Sequence, residues 1–379
     1  MRNSLVLWLN EYPTLNGGER SFLSVLPGLR ASGFQIIAAV PANGALAAAL
    51  AEQGVPVEPF DCIGPDGTRR PLAQLRERLA DVLRKVRPAL LHANSLSMGR
   101  LSGPVAAKLE VPSIAHLRDI IGLSRQAVAD LSCHRRLLAV SIATREHHVV
   151  QGLAPERVKV LYNGIDLEKF APRPPTGWLH QELGIPRERL LIGTIGQIIL
   201  RKGQDVLAQA AAELAEELPN VHYLIIGARY SQKQEAVEFE QGLHQRFSAA
   251  GLAGRVHFLG VREHLEQLLP ELSIVVHPAR QEPLGRVLLE AAACGRAVIA
   301  TDVGGTREIF PAQPQSAWLV PANDHRSLTA AIRVLAANGS LRERLGAAAR
   351  ERMVQAFDLR TAAEGLVESY RWCIEKVDG

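Results

Sequence analysis

Two glutamates, Glu282 and Glu290, stand with seven residues between them in EPLGRVLLEAAACG, Glu282 to Gly295. Pro283 and Gly285 disfavour helix ahead of Arg286, whereas RVLLEAAAC favours it and Gly295 suits the position just past a helix end. Glu282 is therefore expected in the loop before a helix and Glu290 in its second turn. The unbonded backbone N–H groups at residues 285–287, with the helix dipole behind them, would bind a phosphate or diphosphate. Glu290 follows Arg286 by four residues and shares its face. A carboxylate there suits the hydroxyls of a ribose, and Glu282 suits those of a sugar on the other side of the phosphates. Either glutamate alone reads as a surface acid; against that, Glu290 interrupts an apolar run, where a charge needs a partner.

Such loops need elements to hold them. SLVLWLN reads as a strand, EYPTLNGGER as a turn-rich loop and SFLSVLPGLRASG as a helix with Phe22, Val25, Leu26 and Leu29 on one face. The unit recurs with FQIIAAV, ALLHANS, PSIAH and LLAVS as strands. After VKVLYNGIDLEKF the stretch APRPPTGW is too proline-rich for either element, and a second series begins: LLIGTIG, HYLIIGA, VHFLG, SIVVHPA and AVIATDV. Strands alternating with helices imply parallel sheets covered on both faces. The expectation is two doubly wound Rossmann-like α/β domains, residues 1–172 and 173–360, with ligands beyond the carboxyl ends of the strands in a cleft between them. The loops LNGGER, HLRD, GQIILRKG, PARQEPLG and TDVGGTRE all fall at strand ends.

Composition narrows the class. The 379 residues, 47% hydrophobic and 22% charged, describe a globular protein with sizeable cores. No apolar run approaches the roughly 18 residues of a membrane span, and MRNSLVLWLNEYP has too short an apolar core for a signal peptide, so a soluble cytoplasmic protein is expected. Cys62, Cys133, Cys294 and Cys373 lie far apart without metal-ligand spacing and read as reduced thiols, with neither disulfide nor zinc. Basic residues concentrate in Arg69 to Pro88, which reads either as a solvated helix face partnered by Glu77 and Asp81 or as a surface for anionic lipid or an acidic substrate. Nucleic acid is not an expected partner, because no aromatics interleave with the cations.

The pattern Glu, seven residues, Glu within HPARQEPLGRVLLEAAACGRAVIATDVGGTREI resembles the signature of the retaining glycosyltransferases of family 4, which have the GT-B fold of two Rossmann-like domains facing each other across a cleft. LNGGERSFLSVLPGLRASG resembles the family's N-terminal glycine loop, VLYNGIDLEKF its segment before the linker and KGQDVLAQA its diphosphate-binding lysine loop, so the resemblance covers nearly the whole chain. It implies that Lys202 binds the donor diphosphate, Glu282 the transferred sugar and Glu290 the ribose. Backbone N–H groups of Leu284 and Gly285, with Arg286 beside them, would add contacts, and Gly17 and Gly18 would let the N-terminal loop approach the diphosphate. His116 falls where the family places a histidine close to the reacting sugar; its other reading is a buried strand-end residue. One departure stands out: Gln197 stands after the glycine where the family commonly has arginine, and Arg201, next to Lys202, reads either as the cation that replaces it or as a solvated neighbour. The final helix, about 361–379, would cross back onto the N-terminal domain.

No Asp-x-Asp motif occurs in the sequence, so a metal-independent transfer is expected. The resemblance implies front-face attack by an acceptor hydroxyl, with no cofactor besides the nucleotide-diphosphate sugar as co-substrate. The expected partners are a UDP- or GDP-linked sugar, a glycan or lipid-linked acceptor of the cell envelope, and peripheral contact with anionic membrane at its inner face. Two other classes share these motifs: a GT-B sugar-nucleotide epimerase, and a non-catalytic sugar-nucleotide-binding scaffold, which Gln197 alone encourages. A dinucleotide oxidoreductase is weaker, because LNGGER is not GxGxxG.

Overall fold

Apolar runs of four to six residues, rich in Val, Ile, Leu and Ala, become central strands wherever helices can cover both their faces. The structure, a computed structural model, describes residues 4–249 and 251–375; the expectations for residues 1–3 of the opening segment and 376–379 of the last helix lie outside the described residues. The chain divides into two units, one running to Gly164 and taking in the helix from Leu359, the other Ile165–Asp358. The division falls ahead of residue 172, because the Ile165 N–H donates to the Phe357 carbonyl at 2.8 Å and so ties the chain's two crossing points together.

In the first unit the strands are β1 Leu5–Leu9, β2 Gln35–Val40, β3 Val57–Pro59, β4 Leu90–Ala93, β5 Ser113–Leu117, β6 Arg136–Ala139 and β7 Val158–Val160. They form one sheet in the order β3-β2-β1-β4-β5-β6-β7, every pair parallel. The second unit has β8 Leu190–Ile195, β9 Val221–Ile226, β10 Val256–Gly260, β11 Ile274–His277, β12 Ala297–Thr301 and β13 Trp318–Val320 in the order β10-β9-β8-β11-β12-β13, again all parallel. Chain order reverses between β1 and β4 in one sheet and between β8 and β11 in the other, and a crevice opens at such switch points. Three strands escape the sequence reading: β3, β7 and β13, each of three residues and each a sheet edge. An edge strand has one neighbour and needs no continuous apolar run, so little in its sequence announces it.

The glycine loop also differs from expectation. Gly17 and Gly18 are the first turn of the helix Gly17–Ala31 rather than part of a loop before it. Glu19 reaches back to accept the Asn16 backbone N–H at 3.0 Å, half of a capping box that starts the helix at the glycines despite their poor propensity. This helix buries Phe22, Leu26 and Leu29, with Phe22 stacked on Trp8 of β1 at 4.0 Å. The helix Leu359–Glu375 packs against it, burying Ala362, Leu366 and Tyr370, and Gly28 permits the close approach: a Cβ there would meet Ala363 Cβ at 2.7 Å. All four cysteines are free thiols. Among the described residues no helix is long and apolar enough to cross a membrane.

Candidate functional site

In the second unit the lysine loop and the first glutamate meet. β8 gives way to Gly196, a short 3-10 turn spans Leu200–Lys202, and Gly203 passes so close to the next loop that a Cβ would lie 1.9 Å from the Pro278 carbonyl, at a φ of +68°. This approach brings Lys202 Nζ to 2.5 Å from Glu282 Oε2. His277, the last residue of β11, donates from Nε2 to the same oxygen at 2.7 Å. Arg280 locks the two loops together: it pairs with Asp205 through two nitrogens at 2.8 and 2.7 Å, and its backbone N–H donates to the Arg201 carbonyl at 2.8 Å. Arg201 in turn donates to the Gln281 carbonyl at 3.2 Å.

Glu282 is 5% exposed and Glu290 4%, so neither is a surface acid. Burial works to raise the Glu282 pKa, yet the Lys202 ammonium and the His277 hydrogen bond outweigh it and hold the carboxyl well below the usual carboxylate range. Burial, then the Lys202 charge, keeps His277 below its ordinary value, so it donates to Glu282 as a neutral imidazole. Both bonds converge on Oε2; among the described residues no protein donor meets Oε1.

The helix Arg286–Ala293 begins where the sequence places it, with Gly285 at φ +93° as its cap. A side chain at Gly285 would press on Leu288 and on Glu282 Cγ, at 2.8 and 3.1 Å. The intrahelical bonds start with the Leu288 N–H donating to the Gly285 carbonyl at 3.0 Å. Leu284 buries its side chain and can offer only its backbone. Arg286, expected beside the donor, pairs with Glu290, Nε to Oε1 at 2.8 Å, and this supplies a partner that a buried carboxylate needs. Gln197 contributes a carbonyl that accepts from Gln204 Nε2 at 2.8 Å. The loop before Thr306 abuts Glu282, with the Gly305 N–H donating to the Glu282 carbonyl at 3.0 Å, and the buried Thr306 hydroxyl has no protein partner among the described residues.

In the first unit the expected residues gather beyond β1, β4 and β5. Arg118 donates to the Asn94 carbonyl at 3.0 Å, to Asn94 Oδ1 at 2.9 Å and to Asn163 Oδ1 at 2.9 Å. Its side chain lies against Gly18, where an added Cβ would be 3.1 Å from Arg118 Cδ, so the second glycine makes room for a guanidinium at the start of the helix. His116 is 4% exposed and bonds through Nδ1 to His92 Nε2 at 2.7 Å. Burial, then Arg118 and His92, keep its pKa well below the ordinary histidine value. A cavity of about 270 Å³ opens nearby, lined by Asn10, Glu11, Tyr12, Glu19, Arg69, Ser95, Ser97 and Asp119. Arg69 pairs there with the buried Glu11.

The remaining cations of the basic stretch are largely engaged within the unit. Arg76 reaches Asp130 at 3.0 Å and Lys85 reaches Glu58 at 2.8 Å. Of the two expected acidic partners, Asp81 pairs with Arg84 at 2.8 Å. Sequence reasoning missed His277, Arg280, Asp205, Arg118 and His92, although the quoted motifs contain or adjoin every one of them. Among the described residues no group of three or more His, Cys, Asp or Glu is placed to hold a metal ion.

Two parallel sheets of this order, each covered by helices, define a protein of two Rossmann-like α/β units, and the comparisons with known proteins agree with that class. Residues 15–169 match the model of Glycosyltransferase Family 4 and residues 178–352 that of Glycosyl transferases group 1. The chain belongs to this glycosyltransferase family. The alpha-maltose-1-phosphate synthase of Mycolicibacterium smegmatis is 32% identical over 250 residues, 62% of either chain. The D-inositol 3-phosphate glycosyltransferase of Jonesia denitrificans is 35% identical over 220 residues, 55% of this chain and 50% of that one. The matches thus span between half and two thirds of these curated relatives. The Anabaena protein HepE, solved in complex with UDP-glucose, shares the GT-B fold at a TM-score of 0.84 and 24% identity, covering 96% of this chain and 98% of HepE.

Proposed function

We propose that the chain moves a sugar from a nucleotide-diphosphate donor to a hydroxyl acceptor, with retention of configuration and without a metal ion. The observation that carries this reading is the convergence of Lys202 and His277 on one oxygen of Glu282. A carboxylate held far down in pKa is a weak base and a weak nucleophile. It is, however, a good acceptor for hydroxyl hydrogen bonds, and Oε1 is the oxygen that offers this to the transferred sugar. Glu282 therefore suits sugar binding better than attack on the anomeric carbon, unlike the nucleophile of a retaining glycosidase. The acceptor hydroxyl then attacks from the side of the leaving group, and its proton passes to the departing phosphate.

Charge building on that phosphate is met by Lys202, by Arg201 and by the first turn of the helix Arg286–Ala293, the role a divalent cation fills in other sites. Arg201 uses one nitrogen on Gln281, and the rest of its fork has no protein acceptor among the described residues, so it takes the part of the arginine absent at Gln197. Glu290 accepts the ribose hydroxyls, and Leu284 and Gly285 add backbone N–H groups. HepE was solved with UDP-glucose, which favours a UDP-linked donor here.

In the first unit His116 is the residue assigned to the transferred sugar, and Gly17 and Gly18 open the helix end to an anion. The polar cavity beside Asn10, Ser95 and Ser97 suits an acceptor rich in hydroxyls, a glycan or lipid-linked saccharide of the cell envelope. The exposed Arg84 and Lys85 suit an anionic membrane surface; vesicle binding that survives Arg84→Glu with Lys85→Glu would remove that element. The reaction itself is tested by incubating donor and acceptor panels and monitoring free nucleotide and the anomeric configuration of the product by NMR. Acceptor-dependent nucleotide release with retained configuration, unaffected by chelators, is expected. An inverted product, or epimerised donor with no nucleotide released, contradicts the proposal.

A further inference from the structure

A chain of three buried polar side chains runs through the first unit and ends at His116. The Tyr370 hydroxyl, on the helix Leu359–Glu375, lies 2.6 Å from His92 Nδ1. His92 Nε2, on β4, lies 2.7 Å from His116 Nδ1, on β5. Tyr370 and His92 are each 0% exposed, and the three rings pack edge to face or tilted, with Phe34 against Tyr370 at 5.3 Å. Water does not reach these bonds, so every proton in the chain must be placed by the protein.

Two neutral arrangements are consistent with the distances. In one, the phenol donates to His92 Nδ1, His92 donates from Nε2 to His116 Nδ1, and His116 carries its proton on Nε2. In the other every bond is reversed: His116 donates from Nδ1, His92 donates from Nδ1 to the phenol oxygen, and His116 Nε2 is a bare acceptor. The second arrangement leaves the Tyr370 O–H without an acceptor, because His92 is its partner among the described residues, and an unpaired buried O–H is costly. The first leaves no donor unused.

We infer that Tyr370 and His92 are positioning residues that fix His116 in the Nε2–H tautomer, so that its remaining edge donates a hydrogen bond rather than accepting one. His116 lines a small cavity with Arg118, Asn163 and Gly164, and with Nδ1 taken by His92 its Nε2 is the nitrogen left to meet a ligand. A charged relay is disfavoured throughout: burial lowers His92 to about 3, with Arg118 next in effect, and burial raises the Tyr370 phenol well above its ordinary value. The consequence rests on the function proposed above. His116 then acts as a fixed donor to an oxygen of the transferred sugar and not as a general base, and the helix at the end of the chain reaches the chemistry through two hydrogen bonds. Sequence reading could not find this link, because Tyr370 and His92 are 278 residues apart.

The test is spectroscopic. Long-range ¹H–¹⁵N correlation on histidine-labelled whole protein reports the tautomer of each imidazole, assigned by His92→Gln and His116→Gln. We expect Nε2–H on both His92 and His116 in the wild type and a mixture of tautomers in Tyr370→Phe, which keeps the ring and removes the proton. Nδ1–H on His116 in the wild type, or an unmixed Nε2–H signal that persists in Tyr370→Phe, would overturn the inference. If Tyr370→Phe does not fold, the wild-type spectrum decides alone. With donor and acceptor, Tyr370→Phe should lower kcat several-fold at nearly unchanged KM. His116→Gln turning over at the wild-type rate would instead sink the assignment of His116 to the sugar, an outcome separate from the tautomer.

Discussion

Glu282 and Glu290 differ in what holds them, and that difference sets their roles. Glu282 is held on one oxygen by Lys202 and His277, both from outside its own turn, whereas Glu290 pairs with Arg286 one turn back on its own helix. If Glu290 accepts ribose hydroxyls, Glu290→Ala weakens nucleotide binding by roughly 1–3 kcal/mol, measured by calorimetry with the free nucleoside diphosphate. Unchanged affinity would leave Glu290 as no more than the partner of Arg286. Both glutamates were legible because their chemistry is local: a proline, a glycine and an i,i+4 arginine lie within one short stretch. His277 and Arg280 were not, although the same motif contains them: the bond from His277 to Glu282 depends on how the chain turns after β11, and the partner of Arg280 comes from packing. Arg280 binds Asp205, 75 residues away, and no spacing rule announces such a pair.

Among the elements, the strands that position the site were readable and the edges were not. β1, β4, β8 and β11 are mostly apolar and mostly buried, so their runs of Leu, Ile and Val mark them, while β3, β7 and β13 leave no such trace. The start of the helix Gly17–Ala31 was missed for a different reason: two glycines argue against helix, and the capping bond from Glu19 overrides them. The contact that matters most at this scale is the clamp between the loops after β8 and β11. Arg280→Ala removes it without changing the Lys202 or Glu282 side chain itself, so kcat/KM should fall on the order of tenfold to a hundredfold through misplacement of the lysine. A steady-state assay checks this, and an unchanged kcat/KM would show that Gly203 and Pro278 align the loops without the ion pair.

Across the whole molecule, buried histidines tie stability to pH. His92 and His134 have ordinary values of 6.5 and are lowered by burial to about 3 and about 4, and burial lowers His116 and His277 as well. The unfolded chain takes up protons that the native chain refuses. The stability contributed is therefore complete above pH 6.5 and is lost as pH falls towards the native values, each such group adding a slope of up to about 1.4 kcal/mol per pH unit in that window. Denaturant titrations between pH 7 and pH 4.5 should show the decline, and His134→Gln should make it shallower; equal slopes would refute the assignment. At the same scale stands the claim on which the rest depends, that the second unit binds a nucleotide-diphosphate sugar through Lys202. The most direct measurement is thermal stabilisation by UDP, GDP, ADP and their sugar conjugates, compared between wild type and Lys202→Ala. A ligand at a hundred times its Kd adds roughly 2.7 kcal/mol to the folded state, so one nucleotide series should raise the melting temperature of the wild type and leave the variant nearly unmoved. No stabilisation by any of them, or equal stabilisation of the variant, would contradict the account.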